Sequence, residues 1–133
     1  MSGGFPFGKH SPSPRDAVLA HKTSIVRASA ALLNERNRQV DVEGYSTDHD
    51  DLHGYRQLAA AAGAYALSAS GADEAKHQWP WQMAEFNPKD PRRDLVRAGA
   101  LILAAINAFD RKAAGDKADR QAARNAADQA AKS

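Results

Sequence analysis

The stretch E-G-Y-S-T-D-H-D-D-L-H-G-Y, residues 43 to 55, packs Asp48, His49, Asp50, Asp51 and His53 into six positions. Carboxylates and imidazoles so close together suit three kinds of chemistry: metal ligation, proton transfer, or hydrogen bonding to a polar ligand. A divalent ion wants ligands converging from several directions, usually from separate elements. Six consecutive residues rarely supply that alone, so no metal site is assigned. The plainer expectation is that Asp50 or Asp51 caps a following helix and complements its positive N-terminal dipole. His49 and His53 remain candidates for directional hydrogen bonds.

A second group is R-R-D at 92 to 94. Arginines in the first turn of a helix oppose the macrodipole and need compensation. Arg92 and Arg93 either pair with carboxylates such as Glu43, Asp50 or Asp51, or hold an anion against free backbone N–H groups. Arg36, Arg38 and Arg97 are the further cations within reach. A third group is W-P-W, Trp79 to Trp81, with Phe86 nearby. Tryptophans flanking a proline in a loop commonly cover a core, and the sharper alternative is a stacking surface for a base or ring. No Ser-His-Asp arrangement, phosphate-binding glycine loop or paired H-E-x-x-H is present.

These groups must be positioned by helices. Ser13 and Pro14 open the first, as a capping hydroxyl followed by proline at the first helical position. Val18, Leu19, Ile25, Val26, Leu32, Leu33 and Val40 then recur about every seven residues, which predicts one apolar stripe on a helix from Pro14 to Val40. Gly44 ends it, and 41 to 51 reads as a connection. A second helix is expected from Leu52 to Ser70, with Leu58, Ala61, Ala62, Tyr65 and Ala66 on one face. Its alanines and Gly63 imply close approach to a neighbour. Prolines at 80, 88 and 91 make Gly71 to Pro91 a long loop. Asp90 caps a third helix that Pro91 opens. From Leu95 to Ile106 its only charged side chain is Arg97, so it is expected to be the buried centre of the fold.

The expected architecture is therefore mainly α: a flexible arm over 1–14, a compact three-helix domain over 15–111 with a long aromatic loop, and an Ala-rich charged tail over 112–133, flexible or helical. With 133 residues one domain is the natural count. The 18 basic and 16 acidic side chains nearly balance, but the basic excess sits in the termini. The body lacks the basic excess expected of a nucleic-acid footprint. Absence of cysteine excludes disulfides and thiolate metal sites and fits a reducing cytoplasm. No apolar run reaches the roughly 18 residues of a membrane span.

Taken together, R-x-R-Q, V-E-G-Y-S-x-x-H-D-D-x-H, L-A-x-A-A-x-x-Y-A, W-P-W and P-K-D-P-R-R-D-L-V-R-A-G-A-L-I-L-A-x-I-x-x-x-D-R resemble a widespread family of small bacteriophage and prophage proteins, over Glu35 to Arg111. The arginine ahead of E-G-Y, followed by D-D, is also faintly similar to the ryanodine receptor repeat, associated in bacteria and phages with recognition of nucleotide-derived signals. The resemblance implies carboxylates where this chain carries Gln57, Ala105 and Asn107, and tryptophan where it carries Tyr45. It points to a non-enzymatic phage accessory protein in the host cytoplasm that needs no cofactor and binds a small phosphate-bearing, nucleotide-type ligand, sequestering a host defence signal. Arg36, Arg38, Arg92, Arg93 and Arg97 would supply charge, His49 and His53 hydrogen bonds, and Tyr45 or Trp81 a stacking face. One alternative is an enzyme like the magnesium-dependent, all-helical nucleotide pyrophosphohydrolases, built on Asp48, Asp50, Asp51 and Asp94. Another is a protein–protein interaction module without a small ligand, for which the small residues of the second helix would allow a homo-oligomer.

Overall fold

The computed structural model describes residues 11 to 132 and is mainly helical, with no strand among them. The expected arm over 1–14 falls largely outside the described residues. Three long helices are α1 (Pro14–Asp41), α2 (Thr47–Ala69) and α3 (Pro91–Ala131), with short 3-10 turns at Asp73–Gln78 and Met83–Glu85 in the α2–α3 connection. The chain divides into two units, the boundary falling between Ala31 and Leu32.

The first unit ends with the N-terminal part of α1. Ser13 caps this helix as its sequence predicts, accepting from the Asp16 N–H at 3.1 Å. Every residue from 11 to 30 is exposed, so the predicted stripe is not buried. Val18, Leu19, Ile25 and Val26 are all more than half exposed. Exposed along its length, this segment draws on helix propensity and its cap.

The second unit holds the core. It is built where α2 and α3 meet along small residues: Leu58, Ala61, Ala62, Ala64 and Tyr65 from α2, and Ala98, Leu101, Ala104, Ala105 and Ala108 from α3. Alanine on both sides lets helix axes come to the short end of the usual 8–10 Å range. Ala64 takes the buried place expected of Ala66, which is exposed. Gly63 is not a point of close approach, since a Cβ built there meets nothing; at Gly99 a built Cβ would meet the Leu32 side chain of α1. The end of α1 likewise departs from its pattern. Leu33 and Val40 are exposed, while Glu35 and Gln39 are buried, because this part of the helix buries an ion-pair network and not its apolar stripe.

Two further expectations are corrected. α3 is not buried all round: Leu95, Ile102, Ile106 and Phe109 are about half exposed, because α2 covers only one side of it. And α2 begins five residues earlier than the sequence pattern suggests, capped by Ser46, whose hydroxyl accepts from the His49 N–H at 3.2 Å. The first turns stop at Gly54, whose φ of 80° and ψ of 159° break the helix before it resumes. Such a backbone is close to glycine-only territory. Asp90 does cap α3, accepting from the Arg93 N–H at 3.0 Å, and α3 then continues unbroken through the expected tail to Ala131.

Candidate functional site

Two of the arginines singled out in the sequence, Arg38 and Arg93, are brought together on a buried carboxylate, and a third, Arg36, is neutralised by another. Glu35, 3 % exposed, accepts from Arg38 Nε at 2.9 Å and Nη2 at 2.8 Å, and pairs with Arg93 Nη1 at 2.7 Å. Burial pushes the Glu35 carboxyl up, and the two arginines overcome it, holding the group below its ordinary range. Arg38 also reaches Glu43 at 2.5 Å; its hydrogen bond to Glu35 outweighs burial and raises its own pKa further. Arg36 pairs with Asp50, which is fully buried. Asp50 also lies 3.0 Å from His49 Nδ1, and a carboxylate there places the imidazole proton on Nδ1.

Asp50 and Asp51 are therefore not helix caps. Ser46 has that role; Asp50 is the buried anchor of Arg36 and His49, and Asp51 binds Arg111 through Nη2 at 2.8 Å. Arg92 is exposed and stands apart from the cluster, without an ion-pair partner among the described residues. Arg97 fastens the aromatic loop, donating to the Asn87 carbonyl and lying 3.5 Å from the Tyr65 hydroxyl. Its guanidinium carbon sits 5.3 Å from the Tyr65 ring centroid. Burial raises the Tyr65 hydroxyl pKa against the opposing Asn87 N–H and Arg97. Tyr45 is raised likewise, by burial and by Glu43.

The aromatic and imidazole groups form a continuous array. Tyr45 stacks on His49 with centroids 4.4 Å apart and planes 5° from parallel. His49 meets His53 at 4.5 Å, and His53 meets Trp81 at 4.8 Å. Gln57 ties the end of the array, its Oε1 accepting from Trp81 Nε1 at 2.9 Å and lying 3.1 Å from His53 Nδ1. Trp79 is the buried member of the W-P-W pair, edge-on to both Trp81 and Tyr65. One face of Tyr45 is thus taken by His49, and Trp81 is packed among Tyr45, His49, His53 and Trp79.

The space beside the arginine cluster is small. A cavity lined by Glu35, Arg38, Gln39, Glu43, Tyr45 and Tyr65, among others, measures about 10 Å³, room for roughly one water molecule. The carboxylates of the enzymatic alternative do not share a centre either. Asp94 is buried, accepting from the Lys89 N–H at 2.7 Å and the Ser68 hydroxyl at 3.4 Å. Asp50 and Asp51 are held by different arginines, and Asp48 is exposed. Among the described residues no three His, Asp or Glu side chains are placed to hold one metal ion.

A larger cleft opens elsewhere. Beside the break at Gly54 lies a hollow of about 540 Å³, lined by Asp51, His53, Gly54, Tyr55 and Arg56 of α2 and by Ala108, Arg111 and Lys112 of α3. A smaller adjoining hollow of about 240 Å³ shares Tyr55, Arg56 and Lys112 with it and adds Phe109 and Asp116. Tyr55 stands against Phe109 edge-on at 5.1 Å, and Arg56 Nε donates to its hydroxyl at 3.1 Å. Of the residues picked out from the sequence as ligand-binding, only His53 lies here. Arg56, Arg111 and Lys112 were passed over because each reads singly as a solvated helix charge. The available signal was Gly54, a helix breaker two positions before Arg56; nothing in the sequence brings Arg111 and Lys112 to it.

Comparison of the chain with models of protein families, with curated proteins and with solved structures gives no match. No helix among the described residues is long and apolar enough to cross a membrane.

Proposed function

We propose that the protein is a non-enzymatic binder of a small phosphate-bearing ligand of nucleotide type, and that the cleft at the Gly54 break takes it. The observation that carries this reading is the cleft's charge: Arg56, Arg111 and Lys112 line a hollow in which Asp51 is the only carboxylate among the described residues. Its size falls within the range usual for small-molecule pockets. The broken helix contributes as well. A segment that resumes after Gly54 starts with backbone N–H groups lacking helical acceptors, and these favour an anion. Tyr55 offers apolar surface for a base or ring beside the cations. Resemblance to the phage family supports the wider role, an accessory protein that sequesters a nucleotide-type defence signal in the host cytoplasm.

Arg36, Arg38 and Arg93 act in this reading as internal counter-ions, not as ligand contacts. Tyr45, His49 and Trp81 are their packed neighbours. The test is a melting-temperature panel of nucleotides, cyclic dinucleotides and ADP-ribose derivatives, with and without magnesium. A ligand at a hundredfold its dissociation constant stabilises by about 2.7 kcal/mol, on the order of 10 °C for a domain of this size. The Arg56→Ala, Lys112→Ala double variant should melt like the parent and lose the ligand-induced rise. Arg93→Ala should melt lower and keep it. A rise that survives the first variant and disappears in the second would return the site to the arginine cluster.

A further inference from the structure

α3 carries a second apolar face that α2 leaves uncovered. Leu95, Ile102, Ile106 and Phe109 are 55, 48, 51 and 50 % exposed. Steps of seven, four and three residues keep them in one row along the helix. A row of four large half-exposed apolar side chains is not the scattered surface hydrophobicity that needs no explanation.

Two charges frame this row. Arg92 lies just before its start and Asp110 just after its end, about five helical turns apart and so on the same edge of the helix. Both are exposed, and among the described residues neither has an ion-pair partner. Their immediate neighbours differ: Arg93 is paired with Glu35 and Arg111 with Asp51. A cation ten residues before Ile102 and an anion eight residues after it, on one edge, form a nearly self-complementary pattern centred between Leu101 and Ile102.

We propose that this face of α3 is the interface of an antiparallel homodimer. An isologous contact brings the same surface of each copy to the other. With two α3 helices antiparallel about an axis near Ile102, each helix meets the same edge of its mate. Arg92 of one copy then approaches Asp110 of the other, twice by symmetry. Leu95 falls opposite Phe109, and Ile102 opposite Ile102. A parallel two-fold arrangement would instead put the charged edges of the two copies on opposite sides of the seam, and neither Arg92 nor Asp110 would find its counter-charge. The apolar row supplies the attraction and the end charges choose the direction, the division of labour common at interfaces.

The experiment is sedimentation equilibrium of the full chain over a concentration series. The parent should be a dimer that dissociates on dilution. Ile102→Glu and, as a second variant of the same row, Ile106→Lys should be monomeric with unchanged circular dichroism. Arg92→Asp alone, and Asp110→Arg alone, should each weaken the dimer roughly two- to thirtyfold, the span of two exposed ion pairs. Combining Arg92→Asp with Asp110→Arg in one chain should restore the parent's dissociation constant. A parent that stays monomeric up to roughly a millimolar overturns the proposal, as does a dimer indifferent to both row variants. Failure of the combined charge exchange to recover what each single change loses overturns the antiparallel pairing.

Discussion

Replacing Glu35 with Gln keeps the side chain's size and removes the charge that two arginines share. Glu35 is 3 % exposed and receives hydrogen bonds from Arg38 at 2.8 and 2.9 Å and an ion pair from Arg93 at 2.7 Å. Gln offers one acceptor and turns an NH₂ toward a donor. Breaking a fully buried ion pair costs about 3–5 kcal/mol, but here the arginine side chains are 33 and 32 % exposed. Water recovers part of the loss, and Arg38 keeps Glu43 at 2.5 Å. The expected cost is about 2 kcal/mol at neutral pH, roughly 10 °C in melting temperature for a domain of this size. The pH dependence provides the stricter test. Burial raises the Glu35 carboxyl, the arginines lower it by more, and the net shift is downward from 4.5. A carboxyl depressed in the folded state stabilises fully above its unfolded pKa and loses that contribution as pH falls through the folded value. The gap between parent and E35Q should therefore be full at pH 7 and narrow steadily below about pH 4.5. Urea denaturation followed by tryptophan fluorescence at pH 7 and at about pH 3 measures both gaps. A gap of equal size at the two pH values would refute the charge argument, and no gap at pH 7 would remove the network's structural role.

Gly99→Ala should destabilise by about 1 kcal/mol, because the new Cβ would lie 2.9 Å from Leu32 Cδ1 and 3.2 Å from its Cγ, a strain that outweighs the gain in helix propensity. In a Leu32→Ala background the same change should become stabilising by up to about 1 kcal/mol, and chemical denaturation of the four proteins checks the reversal of sign. Gly54→Ala should cost about 1–3 kcal/mol, since an L-residue is strained at a φ of 80° and ψ of 159°; calorimetry reads the loss, and the ligand-induced rise in melting temperature should shrink with it. Ser46→Ala, which removes the 3.2 Å cap on the His49 N–H, should cost about 1 kcal/mol in the same measurement.

Local signals carried much of this fold. Ser13-Pro14 and Asp90-Pro91 open α1 and α3 as their chemistry dictates, and the alanine-rich face of the second helix meets its neighbour closely. What remained hidden depends on where elements lie relative to one another. A recurrence of seven identifies an apolar row but not whether anything covers it, and the rows of α1 and α3 are both exposed. Asp50 has the composition of a cap, yet becomes the partner of an arginine fourteen positions earlier. Ser46 has the N-cap spacing on the same stretch, its hydroxyl accepting from the backbone N–H three positions later. Gly54 could have been read as a breaker, but an isolated glycine within a helical pattern is ordinarily tolerated.

The distribution of charge links the fold to its proposed use. Burying Glu35, Asp50 and Asp94 near the arginines of α1 and α3 would be costly for any of them alone. Glu35 and Asp50 are answered by guanidinium groups and Asp94 by a backbone N–H and a hydroxyl. A group whose hydrogen bonds already hold a buried carboxylate gains little by turning to a phosphate, since it must first leave that carboxylate unpaired in a low-dielectric site. The cations at the Gly54 cleft are under no such constraint. The Arg111–Asp51 and Lys112–Asp116 pairs are solvent-exposed, where an ion pair contributes at most about 1 kcal/mol, and among the described residues Arg56 is engaged by the neighbouring Tyr55 hydroxyl and ring alone. Exchanging those weak partners for a phosphate sacrifices little and gains charge-assisted hydrogen bonds. The same reasoning separates the roles of the arginines by experiment: removing those of the cluster should be read in stability, and removing those of the cleft in binding.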